Sequence, residues 1–195
     1  NLCAQIGYED TLTDFSSQVQ SIMDAGCDTV VMVSYAADGA AIIEELAAQS
    51  FAGQIIGTDG IAETGIAVDM TDQSLLDGII ATKPASATPS EVSLTFAYLC
   101  SMNADCAGGI FTAESFDAVT IMAFAAFTMM ANPGITMSQA IAGTGSSWAG
   151  ASGDITFMEN GDVPGAGYCV GTFTATADTV SYDCTQHWDP TNGLS

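Results

Sequence analysis

The sequence predicts an α/β fold built on a parallel sheet, and three neighbouring stretches predict it. "TVVMVSY" (29–35) is a continuous, largely β-branched apolar run, the pattern of a strand covered on both faces. "AAIIEELAAQS" follows, with Ile42, Ile43 and Leu46 at helical spacing. "QIIG" (54–57) then reads as a second strand. Strand, helix and strand in that order pair in parallel through a right-handed crossover.

The remaining elements follow in chain order. "LCAQIGY" (2–8) reads as an opening strand. "TDFSSQVQSIMDAGCD" reads as a helix with Phe15, Val19, Ile22 and Met23 on one face, Asp14 as N-cap and Gly26 as its stop. The helix between the two strands spans about 39–50. "LDGIIAT" (76–82) is another apolar run and leads into "KPASATPS", a Pro/Ser-rich linker. Beyond it, residues 90–106 read as a helix running into a Cys loop. "FTAESFDAV" opens a long apolar helix that "NPG" stops near 131. Its apolar run, 118–131, falls short of the ~20 residues that span a bilayer and reads as a buried helix. A short helix (136–142), the Gly/Ser-rich loop "GTGSSWAG" and a β tail complete the chain. The tail holds a strand, a tight "ENGD" turn and a hairpin centred on "TATADT".

Composition narrows the function. The 195 residues carry 23 Asp and Glu against a single cation, Lys83, for a net charge of -22. Phosphate neutralisation needs Lys and Arg, so nucleic acid is excluded as a partner, and an anionic lipid surface with it. The acids read as a solvated surface, with an acidic docking face as the other use. At 48% hydrophobic residues the chain can bury a core.

Six cysteines stand at 3, 27, 100, 106, 169 and 184. Cys169 and Cys184 flank the hairpin turn and fall opposite one another, a geometry that suits a disulfide. Cys100 and Cys106 enclose a small polar loop, which leaves Cys3 with Cys27. Three disulfides place the chain in an oxidising compartment; six buried thiols are the alternative. The opening "NLCAQIGY" does not look like a natural N-terminus, and any leader is expected upstream of it.

Catalytic sets are lacking. His187 is the one histidine and reads as part of a frayed tail, so neither a nucleophilic triad nor a Cys/His zinc cluster is expected. "GTGSSWAG" lacks the Lys of a phosphate loop. "ENGDVPG" lacks the spaced ligands of a calcium loop. Glu44 and Glu45 read as a solvated helix surface. The sequence predicts no enzyme, no metal and no cofactor.

A parallel sheet binds ligands outside the carboxyl ends of its strands. Tyr35 and the Thr58-Asp59-Gly60 turn occupy two such ends, so both can face one crevice. An isolated carboxylate suits an ammonium there, and a tyrosine offers a ring face and a hydroxyl. The same residues equally fit a turn cap and a packed ring.

The segments "TDFSSQVQSIMDAGCDTVVMVSY", "AAIIEELAAQSFAGQIIGTDG", "LLDGIIATKP", "FTAESFDAVTIMAFAA" and "GDITFMENGDVPGAGYCVGTF" together resemble, in order, the type 1 extracytoplasmic solute-binding proteins, and more closely the branched-chain amino acid binding proteins of ABC importers. The resemblance implies two Rossmann-like lobes joined by hinge strands, with the N-terminal part of the family fold missing from this sequence. Residues 1–82 would form the C-terminal lobe, 83–163 return to the N-terminal lobe, and 164–195 cross back as hinge and C-terminal hairpin. It implies that Tyr35 contacts a bound amino acid, that Asp59 pairs with its α-ammonium, and that Phe111 lines the side-chain pocket, with Thr58 and Gly60 beside Asp59. Asp59 is shorter than the Glu of the leucine-type members, which admits another amino acid or an amide as ligand.

Implied partners are a small-molecule ligand and a membrane ABC permease, with a periplasmic or cell-surface location. A lattice or filament subunit on the same fold is the alternative function, and self-assembly its corollary.

Overall fold

The computed structural model describes residues 2–9, 11–85, 90–103, 106, 111–163, 165, 167–189 and 191–195. Part of the expected 83–90 linker and of the loop between Cys100 and Cys106 lies outside the described residues. Along the chain run α1 (Ser16–Asp24), β1 (Thr29–Met32), α2 (Ala36–Ala48), β2 (Gln54–Gly57), β3 (Ile80–Pro84), α3 (Glu91–Ser101), α4 (Thr112–Ala131), α5 (Met137–Thr144), β4 (Trp148–Ala149), β5 (Asp154–Ile155), β6 (Tyr168–Ala175), β7 (Val180–Asp189) and β8 (Gly193–Leu194). Short 3-10 turns, Asp59–Ile61, Thr64–Asp69 and Gln73–Leu76, bridge β2 and β3. The chain divides into two compact units, Asn1–Pro84 with Gly167–Ser195, and Ala85–Ala166.

The first unit is one six-stranded sheet in the order β1-β2-β3-β6-β7-β8. β1, β2 and β3 are parallel, and β6 runs antiparallel to β3. The crossover through α2 therefore forms as the alternation of strand and helix predicts. One face of the sheet carries the core, where Phe15, Val19, Ile43, Leu46, Ile61 and Phe173 are all buried. Gly26 ends α1 with a φ of 66°, a left-handed stop natural to glycine. Asp14 accepts a hydrogen bond from the Ser16 amide at 2.9 Å, although Phe15 is the cap residue itself.

Four expectations about this unit need correcting. Residues 2–8 form no strand. Side chains rather than a backbone ladder hold this segment to the unit: the Cys3–Cys27 disulfide at one end and a 2.7 Å hydrogen bond from Tyr8 to Ser34 at the other. Next, β1 is not covered on both faces. It ends at Met32 at the sheet edge, and Val31 within it and Val33 just beyond it are 67% and 76% exposed, so the face they point from is uncovered. His187 is not in a frayed tail, since it lies within β7 and exchanges backbone hydrogen bonds with Ser195. Finally, Cys169 opposes His187 while Cys184 opposes Gly171, because a bulge at Val170/Gly171 shifts the register; the disulfide crosses the hairpin diagonally. Cys100–Cys106 is also bonded, so all three expected pairings are present.

The second unit is helical, with the small β4-β5 pair. Both α3 and α5 start with a reciprocal capping box, Ser90 with Ser93 and Thr136 with Gln139. "GTGSSWAG", expected as a loop, contains the two residues of β4. The long helix α4 is not buried as expected. Of its residues only Asp117, Ile121 and Ala125 are buried, while Phe116, Val119, Phe124, Phe127 and Met130 are exposed. By length and composition alone α4 could cross a membrane. Its apolar surface is spread around the helix rather than gathered in one stripe, so α5 and β4-β5 can cover only part of it.

Candidate ligand-binding site

The carboxyl ends of β1 and β2 are in direct contact. The Thr58 amide donates to the Met32 carbonyl at 3.1 Å, which carries the pairing of β1 and β2 one step beyond the strands. Gly60 then lies against Ser34 so closely that a Cβ would overlap the Ser34 carbonyl oxygen, and it would come 3.3 Å from Tyr35 Cδ1. Only glycine allows this approach of two backbones. The loop holding Tyr35 and the turn holding Thr58, Asp59 and Gly60 therefore form one surface.

Tyr35 is the residue preceding α2. Its extended backbone (φ -103°, ψ 169°) makes no side-chain cap, and its ring is 76% exposed. Asp59 is the first residue of the 3-10 turn Asp59–Ile61, and it is Thr58 that stands in the cap position, without a side-chain bond. The Asp59 backbone carbonyl accepts from the Ala62 amide. The Asp59 carboxylate holds no hydrogen-bond partner among the described residues.

Two residues that sequence reasoning passed over shape this surface. Ser34 is buried and shares a 2.7 Å hydrogen bond with the Tyr8 hydroxyl, and the Tyr8 ring meets Phe15 edge-on at 5.2 Å. Together they fix the strand end on which Tyr35 stands. Lys83, noticed in the sequence only as the lone cation, lies in β3 with its ammonium 4.9 Å from the centre of the Tyr182 ring. Tyr182 in turn donates to the Ala81 carbonyl at 2.9 Å. Glu63, in the segment after β2, has its carboxyl pushed above the ordinary range by burial and drawn partly back by the Lys83 charge.

Phe111 belongs to the other unit. It precedes α4 in a left-handed conformation (φ 55°) and is 40% exposed. Deeper in that unit, Asp117 is 1% exposed. It accepts from the Ala151 and Ser152 amides, each at 2.8 Å, and from the Ser152 hydroxyl at 2.7 Å. A carboxylate inside an apolar helix was the available sequence signal, and the Gly/Ser-rich stretch supplies its donors. A cavity of about 580 Å³ lies between α3 and the start of α4, lined chiefly by Val92, Phe96, Leu99 and Phe116. The "ENGD" turn closes on itself, with the Asn160 amide donating to Asp162 at 2.6 Å. No cluster of metal-ligating side chains occurs among the described residues.

The profile described as the receptor family ligand binding region matches residues 3–174. The chain belongs to that family. Solved proteins share its type 1 periplasmic-binding fold. A leucine binding protein, LivK, of Thermotoga maritima superposes with a TM-score of 0.70 at 19% identity, over 90% of this chain and 49% of that one. A periplasmic binding protein type 1 of Bordetella pertussis gives 0.70 at 15%, over 91% and 51%. A solute-binding protein of an ABC transporter from R. palustris, solved with benzoate, gives 0.69 at 12%, over 96% and 48%. The chain spans about half the length of these proteins. Among curated proteins nothing matches it.

Proposed function

We propose that this receptor-family chain is the solute-recognising part of an extracytoplasmic binding protein that serves an ABC importer. Its ligand is a small amino acid of branched-chain type or a related amide. The observation that carries the reading is the contact of Gly60 with Ser34, which brings Tyr35 and the unpartnered Asp59 carboxylate to one strand-end surface. In the proposed complex Asp59 receives the ligand ammonium, Tyr35 offers its hydroxyl and ring, and Thr58 and Gly60 shape the turn. Phe111 keeps the pocket-lining role that the resemblance gives it. Residues 1–82 and 164–195 correspond in this reading to the C-terminal lobe, and 83–163 to the N-terminal lobe.

The proposed compartment is periplasmic or extracellular, consistent with three disulfides, and the proposed protein partner is a membrane permease. Nothing in the fold favours a lattice or filament role over binding. Titration calorimetry against a panel of amino acids and their amides tests the reading: saturable binding supports it, and a flat response to every member refutes it.

A further inference from the structure

Asn160 and Asn192 each precede a glycine. In an Asn-Gly pair the glycine nitrogen can approach the asparagine carboxamide easily, because no Cβ blocks it and the glycine backbone turns freely. Both asparagines are exposed, and the structure sets them apart.

Asn160 stands in the "ENGD" turn after β5. Its Oδ1 accepts from the Asp162 amide at 3.1 Å, and its Nδ2 donates to Asp162 Oδ2 at 2.6 Å. One residue thus grips the carboxamide at both ends. An N–H donor meets the oxygen on which negative charge would develop, and a carboxylate meets the nitrogen that would leave. Gly161 holds the left-handed backbone (φ 90°) of the turn. Its N–H donates to the Met158 carbonyl at 2.9 Å, a bond at the surface that can exchange for water. Asn192 is held differently. Its Nδ2 donates to Asp189 Oδ2 at 3.0 Å, and among the described residues no donor reaches its Oδ1. Gly193 is tied into the β7–β8 ladder opposite Asp189.

We propose that Asn160 is a deamidation site, at which the Gly161 nitrogen displaces ammonia from the Asn160 carboxamide with Asp162 assisting. The Gly161 amide loses its proton to solvent, its nitrogen bonds to Asn160 Cγ, and the carbonyl electron pair moves onto Oδ1 under the Asp162 N–H. When that pair returns, the Cγ–Nδ2 bond breaks and ammonia leaves with a proton relayed by the Asp162 carboxylate. Water then opens the cyclic imide at either carbonyl, to aspartate or isoaspartate. Water is the one co-reactant, and nothing is oxidised or reduced. The product replaces a neutral carboxamide with a carboxylate facing Asp162, so the turn loses the hydrogen bond that closed it.

The test incubates the full chain in warm, mildly alkaline buffer and follows both Asn-Gly pairs by mass spectrometry of proteolytic peptides. A parallel sample is held in concentrated urea. Thermal melts first confirm that the variants Asp162→Ala and Asp162→Asn are folded. Asn160 is expected to convert at least about ten-fold faster than Asn192 in the folded chain, within the gain a placed proton-transfer group gives. In urea the two rates are expected to converge. Both variants are expected to slow Asn160 about three-fold or more, because each lacks the proton-relaying carboxylate. Asn192 is expected to keep its rate in both, as the control within the same molecule. If Asn160 converts no faster than Asn192 in the folded chain, or if its lead persists in urea, the proposal is overturned. If neither variant slows Asn160, the part given to Asp162 is overturned.

Discussion

Gly60 and Ser34 touch backbone to backbone, with no room for a Cβ between them. This single approach joins the loop after β1 to the turn after β2, so it tests whether the strand-end surface is a unit. Gly60→Ala must push the two loops apart. A forced backbone shift in a packed region costs about 1–3 kcal/mol, and the variant is expected to melt several degrees lower and to lose ligand affinity with it. Unchanged melting and unchanged affinity would show that the contact does not organise the surface.

Asp117 anchors the turn at Ala151 and Ser152 from within α4. Asp117→Ala removes the acceptor of two backbone amides and a hydroxyl, of which the Ala151 amide is fully buried and the two Ser152 donors partly so. Leaving a buried donor unpaired costs about 1–3 kcal/mol; with the Ser152 donors partly recovered by water, a loss of about 2–4 kcal/mol is expected by chemical denaturation. Asp117→Asn keeps one acceptor oxygen and is expected to lose roughly half as much. Equal losses for the two variants would count against the hydrogen-bonding account.

Glu63 carries a pH signature. Burial holds its carboxyl above the ordinary value and Lys83 offsets that only in part. A carboxyl raised in the folded state binds its proton more tightly there than in the unfolded chain. Ionising it as pH rises through the folded value therefore destabilises the fold. Glu63→Gln is expected to melt above the wild type at pH 7, with the gap closing as pH falls below the ordinary carboxyl value of about 4.3, where the wild-type carboxyl becomes protonated in both states. A gap that widened on acidification would contradict the sign.

The acidic balance predicts a response to salt. With 23 acids and one cation, repulsion among surface carboxylates is offset by almost no internal pairing. Added ions screen it over a Debye length of about 10 Å at 0.1 M. Melting temperature is expected to climb between low and moderate salt, and a flat profile would show that the charges are too far apart to matter.

Much of this was legible in the sequence, and for identifiable reasons. β2 lies where "QIIG" placed it, because a short apolar run between a helix and Gly57 has few other solutions. The cysteine spacings sufficed for the three disulfides. The parallel β1-β2 pair followed from the alternation of strand, helix and strand, whereas β3 joins the sheet through short 3-10 turns that carry no such signal. Other features depended on contacts distant in sequence. That residues 2–8 would be held by Cys3 and Tyr8 rather than by a ladder depends on what β1 offers at its edge. The exposure of α4 depends on how little of the chain packs against it. At the site, Tyr35 and Asp59 could be placed at strand ends by pattern. Ser34 and Lys83 could not, since a small polar residue and a lone cation carry no periodic signal. Both act through contacts distant in sequence, Ser34 with Tyr8 and Gly60, and Lys83 with the Tyr182 ring.

The central claim is that the Asp59 carboxylate recognises a ligand ammonium, and calorimetry of Asp59→Asn beside the wild type tests it most directly. Asparagine keeps the shape and removes the charge, and truncating one partner of a desolvated charge pair costs about 2–5 kcal/mol. For the amino acid the wild type binds best, the dissociation constant is expected to rise at least about 30-fold in Asp59→Asn. Tyr35→Phe should cost only about 0.5–1.5 kcal/mol, the worth of one neutral hydrogen bond, with both variants melting near the wild type because both residues lie at strand ends outside the core. An Asp59→Asn protein that bound its amino acid as tightly as the wild type would contradict the account.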